Sequence, residues 1–376
     1  MHLNGSGTTL ETAPLLPLGA PPRTVLFVGK SMSRTRCTGA LMHAWRQNGV
    51  AVRWVNIAAL RRRLGPERAV ARLRQIKGRC RPDLVFVFLR DLPRELVREF
   101  RRTTPVVMWV EDALEGLEAD HVDYMRGADL VSVSNPANIP ALHARGVGPL
   151  LFQMSGFSPK YHYPARRRRE RRDLAFIGGP GNQGQRGAFV GALSERFRTE
   201  VFGKQWQSEA ARFPSLVVRR SVKPSGYRRV CGSSRVVLGL NEINDAAYYC
   251  SNRVWLSLGC GAFHMTHYVP GLEEVFRNHE HLVWFRDLDE CVELVEHYLP
   301  RRAERQRIAR AGHALALERH TYAHRVAAIC ERVCSDHEPE LPPLLRGRGD
   351  PAVAATSAGP VPVRRAPKQS ARRPSA

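Results

Sequence analysis

The strongest constraint on this chain is a unit that keeps returning: a short apolar run rich in β-branched residues, a polar or glycine-bearing turn, then a helical stretch. The runs are Thr24–Val28 (TVLFV), Asp83–Leu89 (DLVFVFL), Pro105–Val110 (PVVMWV), Asp173–Ile177 (DLAFI) and Val236–Leu240 (VVLGL). Runs that are apolar at successive positions suit strands buried on both faces, not half-exposed ones. Between them lie helical signals. Pro66 opens a stretch reaching Lys77 with Val70, Leu73 and Ile76 on one face, and Asn48-Gly49 stops a helix that begins near Thr38. Strand–helix alternation predicts parallel sheets covered by helices on both sides. A chain of 376 residues exceeds one ordinary core, so two such units are expected.

The alternation breaks between Met154 and Arg172, where Gly, Ser, Pro and an arginine run replace it. The expected organisation is a disordered start at 1–22, a first Rossmann-like domain at 23–155 and a basic linker at 156–172. A second Rossmann-like domain follows at 173–335, then a disordered Pro/Ala/Arg-rich tail at 336–376. The fold class is thus α/β, with two Rossmann-like domains facing a central cleft. In open parallel sheets ligands bind at the carboxyl ends of strands, so the loops after the apolar runs are the places to search.

Composition excludes some functions and leaves others open. No apolar run is long enough to span a bilayer, and the start lacks a signal-peptide pattern, so a cytoplasmic location is expected. Eight cysteines without a C-x-x-C pair suggest neither a disulfide framework nor a zinc site. The formal net charge of +23 is carried largely by arginine, since only six of the 58 basic residues are lysine. It is also local. Arg61–Arg81 holds nine basic residues and one acidic, Arg166–Arg172 six and one, and Glu340–Ala376 seven and two. Runs in a linker and a tail are ordinarily solvated, so nucleic acid is not the expected partner. The basic face of Arg61–Arg81 would suit an anionic acceptor or an anionic membrane surface if it has a role, and is otherwise a solvated helix face.

Several loops carry candidate chemistry. Gly29-Lys30-Ser31 is not a P-loop, because the glycine that G-x-x-x-x-G-K-[ST] requires is replaced by Thr24. The loop from Gly178 and Gly179 to Gly187 lets backbone approach a ligand, with a helix start able to face a phosphate; an ordinary β-to-α turn has the same look. Asn241, Asn244, Asp245, Asn252 and Arg253 gather around the end of one strand and the start of the next helix. Amides suit sugar or ribose hydroxyls and Arg253 suits a diphosphate, though a hydrogen-bonded, capped loop uses such residues too. Glu111 and Asp112 end the Pro105–Val110 strand, where a carboxylate could serve as general base or simply as a helix cap. His43 and His121 are weaker alternatives. Asp287-Leu288-Asp289 precedes an amphipathic helix with Glu290 at the capping-box position, so it is expected to cap rather than to bind a metal. No other oxygen-ligand cluster stands out, and no metal is expected.

One stretch carries a family resemblance. Ser251-Asn252-Arg253, Leu258–Phe263 (LGCGAF), Val269–Phe276 (VPGLEEVF), Phe285–Glu290 (FRDLDE), Ile308–Gly312 (IARAG) and His320-Thr321-Tyr322 with Arg325 stand in order. In these blocks the chain resembles the spore-maturation (CgeB-like) glycosyltransferases, relatives of the group-1 glycosyltransferases. The resemblance implies the GT-B architecture and transfer of a sugar from a nucleotide-diphosphate sugar to an acceptor, which could be glycan, lipid or protein. The nucleotide sugar is then a substrate, and no cofactor is expected. It also implies a donor-binding glycine loop with an arginine further on, matched by Arg186, so the expected donor site comprises Gly178, Gly179, Arg186, Lys204, Asn241, Asn244, Asn252, Arg253 and Gly261. Arg253, Lys204 and helix N-termini would stabilise the leaving diphosphate without a metal. One departure is notable: relatives often place a ribose-binding glutamate three positions after this arginine, and here that position is Leu256. A nucleotide-sugar epimerase, or a binding protein with impaired transfer, is the alternative for this fold. An arginine-rich nucleic-acid-binding protein is a third reading.

Overall fold

The computed structural model describes residues 15–29, 37–111, 119–165, 169–181, 185–335, 337 and 341–345. In the first half, β1 (Thr24–Val28), α1 (Cys37–Gln47), β2 (Ala51–Val55), α2 (Ile57–Leu64), α3 (Pro66–Cys80) and β3 (Leu84–Phe88) are followed by α4 (Arg94–Arg101), β4 (Val106–Val110), α5 (Ala119–Arg126), β5 (Leu130–Val133), α6 (Ile139–Ala144) and β6 (Leu150–Phe152). In the second half come β7 (Arg172–Ile177), α7 (Gln185–Ser194), β8 (Thr199–Phe202), α8 (Gln207–Arg212), β9 (Val217–Arg219), α9 (Pro224–Cys231) and β10 (Ser234–Gly239). The chain closes with α10 (Arg253–Gly259), β11 (His264–His267), α11 (Leu272–Val275), β12 (Val283–Phe285), α12 (Leu288–Tyr298), α13 (Arg302–Arg319) and α14 (Tyr322–Arg332).

Each half is one six-stranded sheet, ordered β2-β1-β3-β4-β5-β6 and β12-β11-β10-β7-β8-β9, and every strand pairing is parallel. Alternate residues of one strand feed different cores. Val85, Val87, Val106 and Met108 pack on one face of the first sheet, and Leu84, Phe86, Val107 and Trp109 on the other. In the second sheet Leu174, Phe176 and Leu238 face one layer, and Ala175, Ile177 and Val237 the opposite one. That is why these runs are apolar throughout: a strand between two helical layers has no solvent face.

The two halves are stitched by α14. Tyr322, Val326 and Ile329 of α14, with Val333 just beyond it, join the first sheet's core against α1. The grouping of 173–335 into one unit therefore places α14 with the second half, whereas its apolar face belongs to the first. Arg325 fixes the crossing: Nε donates to the Met154 carbonyl at 2.7 Å and an Nη donates to the Ser155 carbonyl at 3.2 Å. Phe157 pairs with Thr321 in an isolated parallel bridge, and Thr321 forms a capping box with His324. Burial lowers the Arg325 pKa to about 10, with Tyr322 opposing the shift. Asp287 is a cap, as its context predicts, accepting the Glu290 backbone N–H at 2.8 Å.

Candidate functional site

The second sheet reverses its strand order between β7 and β10, its first and fourth strands, which sit side by side. At such a switch point adjacent loops diverge to opposite faces and leave a crevice beyond the strand ends. Arg253, the first residue of α10, sits across it. Its Nε donates to the Ile177 carbonyl at the end of β7 (2.8 Å), and Nη1 donates to the Leu240 carbonyl just beyond β10 (2.9 Å) and to Ser251 Oγ (2.6 Å). The guanidinium carbon also lies 4.8 Å from the centroid of the Phe176 ring. Nη2 has no hydrogen bond to the described residues. Desolvation first, and the neighbouring charge of Arg186 second, lower the Arg253 pKa to about 10, which still leaves it cationic at neutral pH.

That guanidinium dictates the glycine at position 178. A Cβ on Gly178 would lie 2.8 Å from both Arg253 Nε and Nη2. Gly203, after β8, abuts the same turn from the other side: a Cβ there would be 2.0 Å from the Gly178 carbonyl oxygen, which accepts from Trp206 Nε1 at 2.9 Å. Gly179 lies beside Lys204, which is exposed at the end of β8. Arg186, in the first turn of α7, forms an ion pair with Glu242, and its Nε is buried without a partner among the described residues. Burial lowers its pKa as well. Two adjacent guanidiniums, one offset by a carboxylate and the other held only by neutral acceptors, leave a positive centre suited to a diphosphate.

The amides take other parts. Asn241, nearly fully buried, accepts the Ser251 backbone N–H at 2.9 Å and donates to Asn244 Oδ1 at 3.4 Å, so this pair shapes the loop leading into α10. Asn252 turns toward the first half. Its Nδ2 donates to the Tyr322 hydroxyl (3.4 Å) and contacts Cys37 Sγ (3.5 Å), and its Oδ1 is buried without a partner among the described residues. The Tyr322 hydroxyl in turn donates to Glu111 Oε1 at 3.0 Å, and Ser155 Oγ reaches the same oxygen at 3.3 Å. Burial, then Glu111, raises the Cys37 pKa; burial, then Cys37 and Glu111, raises that of Tyr322. Both are therefore neutral donors at neutral pH. A hydrogen-bonded relay, Glu111–Tyr322–Asn252, thus joins the end of β4 to the residue preceding Arg253. It borders a pocket of about 490 Å³, including its open mouth, lined by Cys37, Tyr161, His162, Tyr227, Leu256 and Tyr322, among others.

Of the residues singled out in the sequence, Gly178, Gly179, Arg186, Lys204, Asn241, Asn244 and Arg253 gather at the carboxyl edge of the second sheet, and Asn252 is joined to Glu111 through the Tyr322 hydroxyl. Asp112 lies outside the described residues. Gly261 does not join them: it follows the far end of α10, at the opposite edge of the sheet, beside Pro164. His43 is packed on α1, lowered in pKa mainly by burial, and His121 lies on α5 against Arg90. Glu242 and Cys37 are site residues the sequence reading did not name, and Tyr322 stood there only in a resemblance block, with no site role. Glu242 directly follows Asn241, and Tyr322 belongs to the His320-Thr321-Tyr322 block, so position alone pointed near both. Among the described residues, no group of three or more His, Cys, Asp or Glu could hold a metal ion, and no helix is long and apolar enough to cross a membrane.

Paired parallel αβα domains with a cationic switch point facing a cleft define the GT-B glycosyltransferase architecture. Residues 185–331 match the family model described as "Glycosyl transferase-like". The whole fold is similar to HepE of Anabaena in complex with UDP and glucose (13% identity, TM-score 0.57, 82% of this chain and 99% of that one). It is similar to sucrose-phosphate synthase of Thermosynechococcus elongatus (10% identity, TM-score 0.59, 83% and 99%). It is also similar to an α-glucosyltransferase in complex with UDP and a 13-mer DNA (10% identity, TM-score 0.61, 84% and 100%). No curated protein matches the chain by sequence. The family match over the second domain, on this fold, makes the chain a glycosyltransferase-type enzyme.

Proposed function

We propose that this protein transfers a sugar from a nucleoside diphosphate sugar, held at the switch point of the second sheet, to an acceptor that enters from the first domain. The observation that carries the reading is Arg253, anchored to the carbonyls that end β7 and β10 with Nη2 unengaged over a glycine turn. A guanidinium fixed in this way is preorganised for the charge that grows on a leaving diphosphate, so little reorganisation is needed as the glycosidic bond breaks. Lys204 and the start of α7 add to the same field, and the leaving group is stabilised without a metal. Glu111, oriented by Tyr322 and Ser155, is the carboxylate placed to accept the proton of an acceptor hydroxyl. Several neighbours are bound to UDP or UDP-glucose, which makes UDP-glucose the first donor to test. The ordered blocks from Ser251 to Arg325 support a place in the spore-maturation branch. The free state of all eight cysteines supports a reducing, cytoplasmic compartment.

The test is calorimetric titration of UDP and UDP-glucose into the wild type and Arg253→Ala. Binding that falls at least tenfold in the variant is expected; equal binding to both proteins would remove Arg253 from the donor site. Leu256 favours a second reading. It is half-buried against both halves, so the position where relatives carry a ribose-binding glutamate is apolar here. Donor binding without UDP release, whatever acceptor is supplied, would favour an epimerase or a binding protein of this fold.

A further inference from the structure

The Gly259-Cys260-Gly261 turn, which the donor site does not use, lines a second cavity. It lies where the strands of the second sheet begin, at the edge opposite Arg253, and measures about 870 Å³ including its mouth. The seven residues of α10 separate the two places, roughly 10 Å along the helix axis. The floor is built from small side chains, Cys231, Gly232, Cys260 and Ala262, and one wall is the Pro164-Ala165 segment crossing between the domains. That wall sits tightly on the turn: a Cβ on Gly261, whose φ is +67°, would lie 3.1 Å from Pro164 Cγ. The other wall is a face of α13 carrying Arg302, Gln306, Arg310 and His313.

The charge of this lining is unbalanced. Among the lining residues, four arginines face one carboxylate, Glu170. Glu170 is already spoken for, accepting from buried Arg305 at 3.0 and 3.2 Å and from Arg235 at 3.1 Å. Arg305 also donates to the Tyr298 and Leu299 carbonyls, and Arg235 to Asp173. The side chains of Arg302 and Arg310 have no ion-pair or hydrogen-bond partner among the described residues. Arg302 stands in the first turn of α13, which has no side-chain cap, at the end where the helix dipole is itself positive. Cations are unfavourable there unless an anion neutralises them. Unpaired arginines at the mouth of a walled cavity, over a floor of small side chains, match one ligand chemistry: a phosphate dianion carried on a small organic body.

We propose that this cavity is a second, phosphate-binding site, separate from the switch point, with Arg302 and Arg310 as its phosphate ligands and Gln306 beside them to bond the organic body. The proposal does not depend on the sugar-transfer reading, since no residue of the donor edge takes part.

The full chain is titrated with inorganic phosphate and with glucose 6-phosphate, for the wild type, Arg253→Ala, Arg302→Glu/Arg310→Glu and Arg302→Ala/Arg310→Ala. Both arginines are exposed, so neither double variant disturbs packing, and an unchanged melting temperature for the alanine pair checks this. Millimolar or tighter binding is expected in the wild type and in Arg253→Ala, at least tenfold weaker in the alanine pair and lost in the charge-reversed pair. UDP binding stays unchanged in both double variants. Tighter binding of glucose 6-phosphate than of phosphate identifies a phosphate ester as the ligand; equal binding identifies the free ion. Phosphate affinity unaltered by charge reversal, abolished by Arg253→Ala, or absent in the wild type would each overturn the second site.

Discussion

Replacing Gly178 by alanine tests the donor edge at its narrowest point. The new methyl would lie 2.8 Å from Arg253 Nε and Nη2, over half an ångström inside ordinary contact of about 3.5 Å. A long side chain normally swings away from such a clash at little cost. Here it cannot do so freely, because Nε is bonded to Ile177 and Nη1 to Leu240 and Ser251. Moving the guanidinium breaks at least one charge-assisted hydrogen bond, a loss of about 1.5–3 kcal/mol. For a domain of this size that lowers the melting temperature by roughly 3–10 °C. If Nη2 is the diphosphate ligand, UDP affinity falls by about ten- to a hundredfold as well. A double-mutant cycle with Arg253→Ala isolates the cause. With the guanidinium gone, Gly178→Ala has little to strike and keeps only the backbone cost of a side chain at φ +159°, so its effect on melting temperature should shrink and its effect on UDP affinity should fall to near zero. Equal losses in both backgrounds would show that the glycine serves the loop backbone and not the arginine. The stability arm of the cycle needs no bound UDP, so it reports even if Arg253→Ala abolishes binding.

Two further outcomes follow from the same geometry. Glu111→Gln keeps the size of the side chain but removes the base, so transfer should slow by about a hundredfold or more with UDP affinity unchanged; unimpaired turnover would move the base elsewhere. His264 is fully buried in β11 with both ring nitrogens unpartnered among the described residues, and burial, then Arg253, pushes its pKa down to about 3. The unfolded state then binds a proton near pH 6.5 that the folded state refuses, so this contribution is intact above pH 6.5 and is lost as pH falls from there toward 3. Each such histidine steepens the loss by up to about 1.4 kcal/mol per pH unit. His264→Leu should flatten the slope of urea-unfolding free energy between pH 6 and 4, and an unchanged slope would sink the assignment.

What the sequence made legible was whatever depends on local pattern. The apolar runs named β1, β3, β4, β7 and β10 because a strand between two helical layers has no polar face to blur the signal. Asp287 was legible as a cap because capping chemistry acts over three residues. What stayed hidden depends on pairs far apart in the chain. Tyr322 and Glu111 are 211 positions apart and share one hydrogen bond, and Arg186 meets Glu242 only because β7 and β10 are neighbours in the sheet. The helix α14 has the buried stripe of any surface helix, and nothing in a stripe says which sheet it will cover. Gly261 misled for a related reason. A glycine turn looks the same at either end of a helix, and only the direction of α10 decides whether it faces the donor edge or the opposite one.

That direction also bears on how the two edges of the sheet could communicate. The head of α10 holds Asn252 and Arg253, one reaching the first domain through Tyr322 and the other spanning the switch point; its foot closes the second cavity with Cys260 and Gly261. The helix is wedged from both sides. A Cβ on Gly259 would lie 2.4 Å from the Phe157 ring, and on Gly312 of α13 it would be 2.8 Å from Leu258. A seven-residue helix packed this closely does not bend; it shifts as a body or not at all. Any ligand that moves the foot therefore moves Arg253 against the Ile177 and Leu240 carbonyls. The size of that effect is measurable as the change in UDP affinity when the second cavity is filled. Linkage requires UDP to change the affinity for the second ligand by the same factor, so titrations run in both orders must agree.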